Sequence, residues 1–254
     1  MYRFLLLLLI AIPAMTQSSA AQSATGFLDR SLELDGVQHR YQVFVPSDYD
    51  PERAWPVILF LHGSGERGTD GLFPTEIGLG SAIRRFSDRF PAIVVFPQVP
   101  LESNWIETAP VAMSALAHTE SEFSTDPDRV YLTGLSMGGS GTWNLAYAHP
   151  ERWAAVVPVC GWVRAVRDWP GVAPDSEDPY AAIAEKLADV PVWIFHGSDD
   201  RTIPVEESRQ MLEALQEAGA PVSYSEFEGV GHDSWTLAYR SPDLATWLFD
   251  QVRE

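Results

Sequence analysis

The chain has 254 residues, 46% of them hydrophobic and 20% charged, and a formal net charge of −18. That balance provides for a sizeable core and an acidic surface that repels nucleic acid and anionic membranes, so neither is an expected partner. A single cysteine, Cys160, excludes an intramolecular disulfide and leaves stability to packing.

Met1-Tyr2-Arg3 precedes an apolar run from Phe4 to Ala14 and a small polar stretch from Thr16 to Ser23. One positive charge, a short apolar core and Ser19-Ala20-Ala21 have the form of a secretory signal peptide, with cleavage expected after Ala21. The run is shorter than the ~20 apolar residues that span a bilayer, so the mature chain is expected to be exported, periplasmic or secreted, and not inserted in the membrane. Residues 22–254 are then expected to form one domain.

The first apolar run, 41–45, alternates and reads as an outer strand. Residues 57–61 are continuously apolar, as in a strand covered on both faces, and lead into His62-Gly63-Ser64-Gly65-Glu66-Arg67-Gly68. A glycine-rich loop at a strand end can turn a backbone N–H towards a reacting carbonyl oxygen. The Ser64 amide is the candidate donor, with Gly65 as a nearby alternative, and His62 reads as structural. A strand at 92–96 and a helix at 111–123 follow.

The strand at 130–133 runs into Gly134-Leu-Ser136-Met137-Gly138-Gly139 and then into a helix at 137–149. Gly-x-Ser-x-Gly between a strand and a helix places a serine on a turn too tight for flanking side chains, with its hydroxyl exposed. Ser136 is therefore the candidate nucleophile, and the Met137 amide at the helix start is a second oxyanion donor.

Cys160 closes the strand predicted at 154–159 and reads as a buried, inert thiol. The stretch 161–179, rich in Trp, Pro and Asp, breaks the rhythm and reads as either a surface loop or a cap over the site. A helix at 180–188 and a strand at 192–195 deliver His196-Gly-Ser-Asp199-Asp200-Arg-Thr-Ile203-Pro204, where two aspartates compete to orient a base. After a helix at 205–218 and a strand at 222–227 comes Gly231-His232-Asp233-Ser234-Trp235, which makes His232 the candidate base, and a last helix is expected at 244–252.

Strands alternating with helices predict an α/β fold, a mostly parallel central sheet with helices on both faces, and the chain order Ser, Asp, His is that of the α/β-hydrolase fold. Among the tryptophans, Trp143 reads as core, while Trp105 and Trp162 are candidate substrate contacts. No cofactor is expected, and no His/Cys/Asp/Glu spacing suggests a metal.

Together, His62 to Gly68, Thr133 to Gly139, Phe195 to Pro204 and Gly231 to Trp235 resemble the bacterial phospholipase/carboxylesterase or "predicted peptidase" group, related to polyhydroxybutyrate-depolymerase-like and feruloyl-esterase-like α/β-hydrolases. The resemblance runs from about Tyr41 to the carboxyl terminus. Its acid loop, His-Gly-x-x-Asp-x-x-Val-Pro, implies Asp200 over Asp199, with Ile203 in the place of valine. It also implies a serine carboxylesterase forming an acyl-enzyme on Ser136, acting on small or oligomeric esters, feruloyl- or polyester-type among them. The same machinery on amide bonds, and an inactive binding protein on the same scaffold, are the alternatives. Some relatives carry an added amino-terminal immunoglobulin-like domain, which the short stretch before residue 41 is not expected to hold.

Overall fold

The computed structural model describes residues 24–253, so the expected signal peptide at 1–21 lies outside the described residues. Eight strands form one sheet: β1 (Gly26–Leu34), β2 (Val37–Val45), β3 (Trp55–Leu61), β4 (Ile93–Pro97), β5 (Thr125–Leu135), β6 (Ala155–Val159), β7 (Val192–Gly197) and β8 (Val222–Phe227). Their spatial order is β1-β2-β4-β3-β5-β6-β7-β8. From β4 to β8 every pairing is parallel, and β2 runs antiparallel to both of its neighbours.

Successive side chains of a strand point to opposite faces, and both faces here are apolar. Val57, Leu59 and Leu61 of β3 enter one core cluster, and Ile58 and Phe60 enter the other. The first cluster is closed by α2 (Ala109–Glu122), α3 (Met137–Ala148), α4 (Pro179–Lys186) and α5 (Glu206–Glu217). The second is closed by α1 (Gly78–Phe86), α6 (Trp235–Arg240) and α7 (Pro242–Phe249). This is the expected layered α/β architecture. α4 and α7 start on side-chain caps, Asp178 accepting from the Tyr180 and Ala181 amides and Ser241 from the Asp243 and Leu244 amides.

The sequence reading did not include β1, α1 or α6. β1 alternates weakly and is half-exposed along its length. Its signal was the turn Asp35-Gly36, where both residues have positive φ (53° and 77°), the form that joins two hairpin strands. The first strand is thus at residue 26, not 41.

After β3 the chain crosses to β4 on one side of β3, while after β5 it continues to β6 on the other. The loops leaving β3 and β5 diverge between these neighbouring strands, and such a switch point opens a crevice at the strand ends. His62 to Glu66 follow β3 and Ser136 follows β5, so both loops enter that crevice.

Candidate active site

Ser136 joins β5 to α3 with φ 54° and ψ −116°, a backbone conformation that non-glycine residues rarely adopt. Its amide donates to the Val159 carbonyl (2.9 Å), tying the turn to β6. The flanking glycines permit this turn because the backbones almost touch. A β-carbon at Gly134 would strike the Gly138 carbonyl, and one at Gly138 would strike the carbonyls of Leu61 and His62.

His232 lies on the loop between β8 and α6, with its Nε2 2.9 Å from the Ser136 hydroxyl oxygen and its Nδ1 2.7 Å from Asp200 Oδ2. Since Nδ1 faces a carboxylate, it carries the proton, which leaves Nε2 free to accept the serine hydroxyl. The rings of His232 and Trp235 meet edge to face, 5.2 Å between centroids. Asp199 is exposed and takes the Ser198 hydroxyl, so Asp200 is the aspartate brought to His232.

The Asp200 carboxylate is fully buried and saturated. Oδ1 accepts the amides of Thr202 (2.8 Å) and Ile203 (3.0 Å), while Oδ2 accepts His232 and lies 3.2 Å from His196 Nε2. Burial by itself would raise this carboxyl's pKa. The bonds from His196, His232 and the Ile203 amide outweigh it and hold the group well below the usual carboxylate range.

His196 had no role in the sequence reading. It is buried, with Nε2 between two acceptors, Asp200 Oδ2 and the Ile203 carbonyl, and Nδ1 2.6 Å from the Ser208 hydroxyl. Nε2–H must therefore donate, and Ser208 donates to Nδ1. Its signal was position: the last-but-one residue of a buried strand is a polar group that must find partners inside.

On the other side of Ser136, a 3-10 turn at Ser64–Glu66 follows β3. Ser64 and Met137 line the same cavity as Ser136 and His232. Among the described residues, neither the Ser64 nor the Met137 amide is bonded to another protein group. His62 is wholly buried. Its Nδ1 donates to the Gly63 carbonyl (2.6 Å) and its Nε2 accepts the Val99 amide (3.0 Å), and burial pushes its pKa down to about 4. A neutral imidazole in one fixed tautomer thus braces the loop.

The two tryptophans expected at the substrate part ways. Trp162 is in the cavity wall, with its Nε1 donating to the Pro170 carbonyl (3.0 Å). Trp105 is not. It is 1% exposed, donates from Nε1 to the His62 carbonyl (2.8 Å), stacks edge-on against His62 and packs over Gly141. Trp105 fills the space behind the β3 loop, a packing role that its place in the sequence did not reveal. Trp143 is core, as read. Thr202 and Ile203 of the acid loop complete the cavity with Val166, Arg167 and Trp169, and these last three were not expected there because 161–179 has no periodicity from which to infer its path.

Cys160, with φ 40°, stands behind His232, and ligand atoms of Cys160, Asp200 and His232 lie within 4.8 Å of one another. Burial pushes the thiol pKa up to about 12, so it is not a ready thiolate, and the other two groups are bonded to each other. No helix among the described residues is long and apolar enough to cross a membrane.

The chain is similar to several known proteins. A carboxylesterase from Arabidopsis thaliana is 24% identical, the match covering 69% of this chain and 82% of that protein. A probable feruloyl esterase C from Aspergillus terreus is 22% identical, over 96% of each chain. The crystal structure of a thermostable esterase superposes with a TM-score of 0.76 and 33% identity, covering 89% of this chain and 63% of that one, so the chain spans less than two thirds of its length. The family model described as the prolyl oligopeptidase family matches residues 111–251, which hold the serine turn, the aspartate loop and the histidine loop. The chain is a member of the prolyl oligopeptidase family of α/β-hydrolases.

Proposed function

We propose that the protein is an exported serine carboxylesterase for esters with a short acyl group, and that it works through an acyl-enzyme on Ser136. The observation that carries this reading is the continuous relay from the Ser136 hydroxyl through His232 to buried Asp200, opening on a cavity of about 130 Å³.

His232 Nε2 takes the proton of Ser136 as Oγ attacks the carbonyl carbon. Asp200 holds the Nδ1 proton and stabilises the imidazolium that forms. The unpaired Ser64 and Met137 amides receive the developing oxyanion, at ~3 to 4 kcal/mol per donor. The imidazolium then protonates the departing alcohol oxygen, and a water deprotonated by His232 releases the acid.

By comparison with a cavity of about 150 Å³ that holds benzene, the cavity takes about half a dozen heavy atoms. A short acyl group fits inside it, and a feruloyl group is too large to be enclosed by it. The names of the Arabidopsis and Aspergillus relatives support the ester reading, and the amino-terminal pattern supports export. The matched family's name favours a second reading, amide hydrolysis in peptides.

Rates on 4-nitrophenyl acetate, butyrate and octanoate, against a peptide 4-nitroanilide, distinguish the two. The expected result is fastest turnover of the short esters, lost by about 10⁴-fold or more in Ser136→Ala along with labelling by a fluorophosphonate. A dominant anilide rate would replace the ester reading with the peptidase one. Sequencing of the mature amino terminus after expression with a secretion pathway tests export.

A further inference from the structure

One wall of the cavity carries a charge that the relay does not use. Arg167 lines it together with Ser136 and His232, and no Asp or Glu lines it. The chain as a whole has 35 acidic and 17 basic residues, so a wall with an arginine and no carboxylate, the buried Asp200 behind His232 apart, stands out from the rest of the molecule.

Arg167 reaches this place on a strained backbone. With Asp168 it forms the tip of a turn closed by Val166 N–H to the Trp169 carbonyl (3.2 Å) and Trp169 N–H to the Val166 carbonyl (3.0 Å). Its φ of 55° suits glycine or asparagine far better than a long side chain. Neighbouring Asp168 is exposed and outside the cavity, and among the described residues Arg167 makes no ion pair. Arg67, on the loop after β3, is already engaged: its Nε donates to the Ser64 carbonyl (3.0 Å) and its guanidinium lies 5.1 Å from the Trp169 ring.

We propose that Arg167 is a specificity-determining residue that binds an anionic group, a carboxylate or similar oxyanion, carried by the ester a few atoms from its scissile carbonyl. The inference rests on the esterase reading and names the substrate class of that site. A guanidinium offers paired donors that match a carboxylate. Surface carboxylates more than ~8 Å from the guanidinium are largely screened at physiological salt and weigh less than this one contact.

Two matched pairs test it: monomethyl glutarate against methyl pentanoate, with the anion on the acyl side, and 4-acetoxybenzoate against 4-acetoxybenzamide, with the anion on the alcohol side. On at least one pair, Arg167→Gln should lower the anionic-to-neutral ratio of kcat/KM by about 10- to 100-fold, mostly through KM. Arg167→Lys should keep part of the preference, and 1 M salt should reduce it in the wild type. Arg167→Asn, which suits the positive φ, should lose the preference with an equal or higher Tm, whereas a purely structural turn residue would be functionally rescued by asparagine. Ratios within twofold of wild type in both the Gln and Asn variants, on both pairs, would overturn the assignment and leave the esterase reading standing. A wild type that cleaves none of the four compounds, nor 4-nitrophenyl acetate, would overturn both.

Discussion

The loops after β3 and β5 and the segment at 161–179 line one cavity, yet they are held differently. Around Ser136 the backbones of Gly134, Gly138, Leu61 and His62 approach too closely for a side chain, and His62 bonds on both ring nitrogens. The other side is secured mostly by bonds within the segment, Trp162 Nε1 to Pro170, Val172 N–H to Val163 and Val166 and Trp169 to each other, and by the Glu207 carboxylate, which accepts the amides of Val163 (2.8 Å) and Arg164 (3.1 Å) and the Tyr180 hydroxyl. The relay thus sits where the core leaves no freedom, while the opposite wall joins buried Trp162, Val163 and Val172 to an exposed turn at Arg167 and Asp168, where sequence can vary at smaller structural cost.

The sharpest break of that comparison comes from the rigid side. Asp200→Asn keeps the shape but removes the acceptor that fixes the His232 tautomer. It should lower kcat by about 10⁴-fold beyond any loss of folding, and a folded variant retaining a tenth of wild-type kcat would break the relay. Gly138→Ala should cost about 3 kcal/mol or more, read as a Tm fall of roughly 10 °C, because its β-carbon meets backbone that cannot swing aside.

A pH series sharpens the role of His62. Its folded pKa, about 4, lies below the ordinary value of 6.5, so the unfolded chain takes up a proton that the folded chain refuses. Its contribution to stability is full above pH 6.5 and falls by about 3 kcal/mol as pH drops towards 4. Urea midpoints across that range should fall, and His62→Gln should fall less steeply even if it starts lower. The smallest effect belongs to the looser side. Glu207→Ala should cost about 1 kcal/mol globally while raising hydrogen exchange at Val163 and Arg164, and unchanged exchange would show that 161–179 is held by something else.

Much of the sheet was legible because covered strands such as β3 and β6 are unbroken apolar runs, and their alternate residues had to serve two faces. The half-exposed β1 lacked that signal, and so did α6, only six residues long. In the site, the serine turn and the histidine loop are short-range patterns that a reader can find. His196 is marked only as a polar residue in a buried strand, and Arg167 carries no local mark: one matters through partners at positions 200, 203 and 208, the other through the turn that brings it to the cavity.

The sequence by itself determined the layered α/β fold, the strained glycine-flanked serine and the order of the three polar loops, because these follow from periodicity and from local backbone geometry. The motif resemblance already pointed to Asp200 over Asp199; only the tertiary structure decided that Trp105 packs behind the β3 loop while Trp162 faces the cavity, and that exposed Arg167 lines a pocket with no Asp or Glu in its wall. Those outcomes depend on which side chains meet across the sheet edge, and distances of that kind are set by how strands and helices pack, which no local pattern encodes.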